Sequence, residues 1–303
     1  MNVNTHEKIL AENSKSFNWA SKLFPKEERN SIALLYFFCR TLDDVADEEG
    51  RDNSTLLNNI KELIINETSS EKKINDFQGL YNTYQTLGLN KEISIHLLDG
   101  LIFDQKSVQI RDEKELIEYC YRVAGTVGLL MCPILGCKNK EAFKFAVDLG
   151  VGMQMTNIAR DVFEDSNLNR RYLPGTWINS MTAREIRDCS QHPHSDNYRN
   201  IKIAIDRILN LAQEYYDSGR LGLSYLPLRS RFGIAVASNI YQGIGNKIKL
   251  KNFDWGKSRA FTTIFDKILA TLYSTKYFLD YRQKFPKHAA YLHNHLKEFE
   301  HTW

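Results

Sequence analysis

Apolar residues recur at steps of three and four along most of this chain, which is the spacing of a buried helix face. After Ser31, the pattern runs through Leu34, Leu35, Phe38 and Leu42. Similar spacing continues over 116–130, 143–163, 201–216, 232–248 and 262–281. Only six prolines interrupt 303 residues, and no clear run of alternating apolar and polar residues is present. The sequence therefore predicts an all-α fold.

The breaks between the predicted helices are short. Polar or turn-forming residues cluster at 50–54, 66–73 and 190–197, and none of these stretches resembles an interdomain linker. Apolar residues make up 43% of the chain, which is enough for a large packed core. We therefore expect one domain spanning residues 1–303.

Charge and cysteine content exclude several classes of protein. A net charge of +3 is too small to indicate nucleic-acid binding, although it suits anionic lipid or a diphosphate. Five cysteines without a Cys-x-x-Cys pair indicate small core residues in a reducing compartment. The eight histidines show no ligand spacing, and His293 and His295 are assigned to a solvated C-terminal tail.

No pattern of a targeting or membrane-spanning segment is visible. Residues 1–10 are polar and hold no apolar signal core. The longest apolar runs, 32–38 and 127–135, fall well short of the roughly 20 residues that a membrane span needs. We expect a cytoplasmic protein that is soluble or peripherally bound.

Two sets of polar side chains each follow an apolar helical run. Asp43 and Asp47 are four residues apart and so share a helix face, on which their carboxylates repel each other. Asn157, Asp161 and Asp165 repeat the same four-residue step. A divalent cation turns such repulsion into attraction, and ligands that are all oxygen suit Mg²⁺. Each set is therefore a candidate metal site.

Acidic residues at this spacing usually belong to a solvated helix face, and that interpretation carries half the weight for Asp43 and Asp47 alone. Its weight falls when both sets are considered, because each has an arginine close by, Arg40 or Arg160. Arginine binds phosphate through two parallel hydrogen bonds. Carboxylates, metal and arginine together indicate a site that binds pyrophosphate.

Several segments, in this order and spacing, resemble the squalene and phytoene synthases, and most of all the bacterial phytoene synthases. They are Ser14-Lys15-Ser16-Phe17, Tyr36-x-x-Cys39-Arg40-x-x-Asp43-Asp44-x-x-Asp47, the segment 119–128, Gln154-x-x-Asn157-x-x-Arg160-Asp161-x-x-Glu164-Asp165, and Leu226-Pro227-Leu228-Arg229 with Tyr241. The resemblance covers nearly the whole chain. It implies the isoprenoid-synthase fold, in which helices surround a deep apolar cavity.

The resemblance also implies roles for individual residues. Five side chains would face one another and hold Mg²⁺, with Mn²⁺ as the other candidate: Asp43, Asp47, Asn157, Asp161 and Asp165. The four aspartates would be catalytic, together with Tyr119, Tyr172 and Tyr241, which would hydrogen-bond a diphosphate or assist proton loss. Candidate diphosphate contacts are Ser14, Arg40, Gln154, Arg160, Arg170, Lys257 and Arg259. Candidate cavity-lining residues are Phe17, Ala33, Tyr36, Phe37, Val123 and Gly128.

The implied reaction joins two geranylgeranyl diphosphates head to head and needs no NADPH. A squalene or dehydrosqualene synthase that uses two farnesyl diphosphates shares every motif and stays open as an alternative. A terpene cyclase or chain-elongating prenyltransferase is disfavoured by the segment 119–128 beside the second acidic set. A non-catalytic scaffold protein would be expected to lose metal ligands. The hydrophobic product suggests work at the inner face of a membrane.

Two positions depart from the family pattern. Phe163 stands where the family usually has glycine. A phenylalanine fits a helix well there, and crowding of the site entrance by its ring stays open as the alternative. Asn169 replaces a second glycine just ahead of Arg170. Because asparagine tolerates a positive φ better than most residues, we expect the tight turn to survive there. The segment 253–267 matches the family's basic segment only loosely.

Overall fold

Helices make up the ordered elements of this protein, which confirms the predicted fold class. The structure is a computed structural model and describes residues 3–47, 52–66, 77–256, 259–279 and 285–303. The first helices are α1 (Val3–Asn13), α2 (Lys15–Ser21), α3 (Lys26–Ala46), α4 (Ser54–Asn66), α5 (Gln78–Leu87), α6 (Lys91–Phe103) and α7 (Glu113–Cys120). They are followed by α8 (Thr126–Ile134), α9 (Glu141–Arg160), α10 (Val162–Asn167), α11 (Ala183–Cys189), α12 (Asp196–Leu221), α13 (Leu228–Leu250) and α14 (Ile264–Leu279). Within the described ranges there is no strand beyond an isolated bridge between Gln109 and Arg171.

Local sequence explains where several helices begin. The Ser14 side chain accepts a hydrogen bond from the Phe17 backbone N–H and caps α2. Ser195 caps α12 in the same way, and Thr182 forms a capping box with Glu185 at the start of α11. Such caps pair N–H groups that the first helical turn leaves without partners.

A π-helical turn, Tyr121–Gly125, joins α7 to α8 within the stretch predicted as one helix. One extra residue per turn shifts the faces of the two flanking helices relative to each other, and such turns are frequent at functional sites. The turn also approaches the long helix α9 very closely. A Cβ on Gly150 would lie 2.3 Å from the Ala124 carbonyl oxygen, so only glycine fits at this crossing.

Helix α9 lies at the centre of the molecule. It packs against α12, α13, α8 and the π-helical turn, and most of its side chains are buried. The largest cluster of buried apolar side chains draws on helices from α3 to α13 and on the C-terminal segment. The ends of α3 and α9 are thereby held at one side of a common core.

Two expectations from composition concern cysteines and membranes. All five cysteines are free, and four of them are buried, which fits their prediction as small core residues. Among the helices of the described ranges, none combines the length and the apolar composition needed to cross a bilayer.

Candidate active site

An acid-lined space lies where α3 and α9 end. Asp43 and Asp47 line it from the end of α3, and Asn157, Asp161 and Asp165 line it from the end of α9 and from α10. The structure therefore brings together all five side chains that the sequence analysis proposed as metal ligands.

The carboxylates of this space repel one another. Burial and the neighbouring Asp47 carboxylate raise the pKa of Asp43 to about 7. Burial and the Asp161 carboxylate raise the pKa of Asp165 to about 8. Both shifts mean that negative charge is unfavourable here unless a cation balances it.

The side chain of Asn157 is oriented for a ligand. Its Nδ2 atom donates to Oε1 of Gln154 at 3.3 Å, which leaves the amide oxygen pointing elsewhere. That oxygen, Oδ1, is buried and has no hydrogen-bond partner. A buried orphan oxygen beside carboxylates of raised pKa fits a hard divalent cation, which takes oxygen ligands.

Three arginines form ion pairs with carboxylates of the acid-lined space. Arg160 contacts the Asp161 carboxylate through Nε at 2.7 Å and a terminal nitrogen at 2.5 Å. Arg259 makes a second two-point contact with Asp161, at 2.7 and 2.8 Å. Arg170 contacts Asp47 at 3.0 Å. These guanidinium groups mark where an anion such as a diphosphate would be bound.

Of the other candidates for diphosphate binding, Gln154 lines the acid-lined space, whereas Ser14 and Arg40 lie outside it. Ser14 caps α2 and lines the apolar cavity described below. Arg40 pairs with Asp44 at 2.5 Å and does not line the acid-lined space. Lys257 lies outside the described residues.

Asp104 is a member of this space that the sequence analysis missed. Its carboxylate accepts hydrogen bonds from Tyr119 at 2.9 Å and from Tyr172 at 2.8 Å, and the two tyrosine rings stack with their centroids 4.8 Å apart. Burial raises the pKa of Asp104 to about 6, although both hydrogen bonds oppose that shift. Asp104 ends the apolar helix α6 as Asp43 and Asp47 end α3, but no acidic residue stands four positions before or after it, so the four-residue spacing did not select it.

An apolar cavity adjoins the acid-lined space. Its walls come from α2, α3, the π-helical turn, α8, α9 and α13, and they include four predicted residues, Phe17, Tyr36, Val123 and Gly128. Tyr241 also lies on this wall, rather than in the acid-lined space. Val123, Gln154 and Asn157 line both spaces, so the cavity opens directly onto the acidic walls.

The prediction that Ala33 and Phe37 line the cavity is wrong. The cavity face of α3 carries Leu35, Tyr36 and Cys39. Ala33 and Phe37 are four residues apart and occupy a different face, because side chains four apart on a helix point the same way. The Phe37 ring contacts His6 of α1, with the ring centroids 4.7 Å apart.

The two departures from the family pattern are accommodated. Phe163 packs, partly buried, against the core and lines neither the cavity nor the acid-lined space. Its ring therefore does not crowd the site. Asn169 has a φ of 57°, so the turn is kept in the left-handed region as expected.

The assignment of His293 to a solvated tail is also wrong. Its side chain is buried, and its Nε2 lies 2.8 Å from the Asp148 carboxylate. His288 Nε2 contacts the same carboxylate at 2.8 Å, and Ser218 donates to it at 2.5 Å. Both histidine contacts have hydrogen-bond length. The group formed by Asp148, His288, His293 and Ser218 therefore joins the C-terminal segment to α9 and α12.

Comparisons with known proteins agree with this geometry. The family model "Squalene/phytoene synthase" matches residues 10–266. The chain belongs to the squalene/phytoene synthase family. A 15-cis-phytoene synthase from Enterobacter agglomerans is 33% identical over 247 residues, covering 78% of this chain and 82% of that protein. A phytoene synthase from Thermus thermophilus is 33% identical over 250 residues, covering 82% and 83%.

Solved structures of the squalene/phytoene synthase family share the fold. A dehydrosqualene synthase crystallised with a ligand superposes with a TM-score of 0.76 at 23% identity, covering 92% of this chain and 97% of that one. The squalene synthase HpnC from Alicyclobacillus acidocaldarius gives a TM-score of 0.67 at 22% identity, covering 83% and 94%. At these identities the likeness establishes the isoprenoid-synthase fold.

Proposed function

We propose that this enzyme condenses two geranylgeranyl diphosphates head to head to phytoene, in carotenoid biosynthesis. The observation that carries the proposal is an acid-lined space opening onto an apolar cavity. The acid-lined space suits the diphosphate groups of the substrates, and the apolar cavity suits their hydrocarbon chains. Curated relatives named phytoene synthase, at up to 33% identity, support the choice of product.

Residues of the acid-lined space would have different roles in the first step, the ionisation of one substrate. Asp43, Asp47, Asn157, Asp161 and Asp165 would hold Mg²⁺, which when bound neutralises the departing pyrophosphate. Arg160, Arg170 and Arg259 would turn from the carboxylates they now contact toward diphosphate oxygens. The first substrate loses pyrophosphate, and the 2,3 double bond of the second attacks the allylic cation.

That attack gives a tertiary cation, which loses a proton as the cyclopropane ring closes to a cyclopropylcarbinyl diphosphate. This intermediate ionises in turn with release of the second pyrophosphate, and the rearranged cation loses a second proton. Aromatic side chains on the cavity wall, Phe17 and Tyr36 among them, exclude water and face the passing cation. Asp104 is the base we assign to proton loss, through the hydroxyl of Tyr119 or Tyr172. No nicotinamide enters this scheme.

A squalene or dehydrosqualene synthase reaction with two farnesyl diphosphates is the second candidate. It is favoured by a 4,4'-diapophytoene synthase from Staphylococcus haemolyticus, 29% identical over 263 residues. The same residues would bind its diphosphates, because the two reactions differ in the length of the chains that the cavity receives. Cavity depth is therefore the feature that separates them.

One experiment tests both candidates. Purified protein is incubated with Mg²⁺ and either geranylgeranyl or farnesyl diphosphate, with and without NADPH, and the hydrocarbons are identified by mass. We expect phytoene from the longer substrate, at a rate that NADPH does not change. Faster turnover of farnesyl diphosphate would assign the shorter reaction instead. Absence of any hydrocarbon would favour a non-catalytic helical scaffold.

A further inference from the structure

The exposed side of α14 and of the residues before it is apolar. Among the described residues, fifteen large apolar side chains are exposed, and six of them lie within 261–272. We call these six the apolar face: Phe261, Ile264, Phe265, Ile268, Leu269 and Leu272. The first three are each about two-thirds exposed, at 71%, 69% and 67%. Contiguous exposed apolar surface of this kind marks an interaction site.

The buried side of α14 is small and polar, which reverses the usual arrangement. It carries Lys267, Ala270 and Ser274, all buried against the neighbouring helices. Lys267 donates to the Lys15 carbonyl at 3.0 Å, and Ser274 accepts from Asn239 at 2.7 Å. An ordinary amphipathic helix turns its apolar stripe inward. The apolar face therefore contributes nothing to the core of the domain.

The segment that carries the apolar face is rich in basic residues. Between positions 247 and 276 the sequence has seven Lys or Arg and two Asp, a net charge of +5, whereas the whole chain carries +3. The rest of the chain is therefore slightly acidic, and the positive charge is concentrated here. Lys249 and Lys276 are both exposed. An apolar face carried on a segment of net positive charge suits the surface of an anionic bilayer.

The same charge argues against a second copy of the chain as the occupant. A two-fold dimer would place the same patch of both subunits together. Two segments of charge +5 would then face each other, and their repulsion would oppose the contact. Anionic lipid, in contrast, gains from both the apolar and the basic residues.

The apolar face lies beside the active site. Ala270 of α14 and Ala237 of α13 belong to one buried apolar cluster, and Ala237 lines the apolar cavity, so α13 lies between the cavity and α14. Arg259, two residues before Phe261, contacts Asp161 in the acid-lined space. We propose that the apolar face docks the enzyme on an anionic lipid bilayer. Docking would bring the cavity next to the bilayer, in which prenyl chains dissolve. This last step rests on the proposed function.

Vesicle flotation tests the proposal. The full chain is mixed with vesicles of phosphatidylcholine, either pure or containing one-third phosphatidylglycerol. We expect the protein to float with the anionic vesicles, to bind the neutral ones less, and to be released by added salt. The double substitution Phe265→Ser with Leu272→Ser should weaken binding to anionic vesicles at least about tenfold. Ile203→Ser is the matched control, because Ile203 is 61% exposed on α12 outside the patch.

Three results would overturn the proposal. The first is that the wild type does not float with anionic vesicles. The second is that the double variant floats as well as the wild type does. The third is that the wild type sediments as a dimer and the double variant as a monomer. Should the double variant melt at a lower temperature than the wild type, Phe261→Ser replaces it, because Phe261 precedes the helix. Turnover in detergent micelles is measured in parallel. Missing product from the wild type there would count against the proposed reaction and leave the docking result unaffected.

Discussion

Asp43 combines a partly buried position with a charge that the protein alone does not balance. Its carboxylate has a pKa raised to about 7 by burial and by Asp47. The substitution Asp43→Asn should lower turnover by at least about a hundredfold, because a metal ligand and its charge are lost. The melting temperature of the metal-free protein should not fall, because the charge that is removed was unfavourable.

Asp44 supplies the matched control for this substitution. It is the next residue of α3, its side chain is 58% exposed, and it pairs with Arg40 outside the acid-lined space. Asp44→Asn should keep most of the activity, because exposed ion pairs contribute little. Equal loss of activity in the two variants would contradict the separate role of Asp43. Steady-state turnover and thermal melting of both proteins provide the comparison.

Single residues also show what the sequence could and could not predict about the site. Repeated four-residue steps at the ends of apolar helices were enough to find Asp43, Asp47, Asn157, Asp161 and Asp165. Asp104 has no acidic residue four positions away along the chain, and it joins the site through tyrosines 15 and 68 residues away. Periodicity detects partners along one helix, whereas contacts between distant segments depend on how the helices pack.

At the scale of the elements, the crossing of α9 and the π-helical turn determines where Asn157 lies. A Cβ on Gly150 would meet only backbone, with Ala124 O at 2.3 Å and Gly125 Cα at 2.9 Å. Backbone atoms cannot rotate away, so Gly150→Ala must push the two elements apart. We expect a loss of about 1–3 kcal/mol in the free energy of unfolding, together with reduced turnover.

Gly79 provides the control for the Gly150 substitution. It lies in α5, and a Cβ placed on it meets nothing within 4 Å. Gly79→Ala should leave the stability unchanged or raise it, because alanine favours a helix by up to about 1 kcal/mol over glycine. Urea unfolding of both variants measures the difference. A Gly150→Ala protein as stable as Gly79→Ala would show that the crossing is not tight.

One buried carboxylate is among the contacts that join the C-terminal segment to the domain, beside apolar packing and further hydrogen bonds. Asp148 is bonded to His288, His293 and Ser218, and the two histidines hold the pKa of Asp148 below its usual value of 3.8 against the effect of burial. Asp148→Asn should cost about 3 kcal/mol of unfolding free energy, because it breaks buried charged hydrogen bonds.

The pH dependence of that loss follows from the sign of the shift. A carboxyl whose folded pKa is lowered stabilises the protein above its unfolded pKa, and this stability is lost as the pH falls. The stability difference between wild type and Asp148→Asn should therefore be constant near neutral pH and shrink below about pH 4. Chelation of divalent metals should leave the difference unchanged, because the contacts are hydrogen bonds. A fall in the melting temperature of the wild type on chelation that the Asp148→Asn variant does not share would instead identify a metal at Asp148.

The burial of the C-terminal segment could not be predicted from the spacing of apolar residues. Residues 285–303 contain short 3₁₀ turns and no long amphipathic helix, so periodicity gives no sign of burial. His293 is nevertheless buried, because a partner on α9 offsets the cost of removing it from water. The all-α class, by contrast, follows from local spacing repeated along the chain, which tertiary contacts do not reverse.

For the whole molecule, the acidic walls and the arginines predict that metal and anion bind together. Mg²⁺ and inorganic pyrophosphate, added jointly, should raise the melting temperature more than either does alone. Ligands that bind the native state alone stabilise it by about 2.7 kcal/mol at a hundred times their dissociation constant.

Asn157→Ala should reduce this shift in melting temperature, because it removes the orphan oxygen Oδ1. Asn58→Ala, on the exposed side of α4, should keep the full shift. Because pyrophosphate has no prenyl chain, the measurement tests the acid-lined space independently of which substrate fits the cavity. Equal shifts in wild type and Asn157→Ala would remove Asn157 from the metal site, and no shift in the wild type would favour the non-catalytic scaffold.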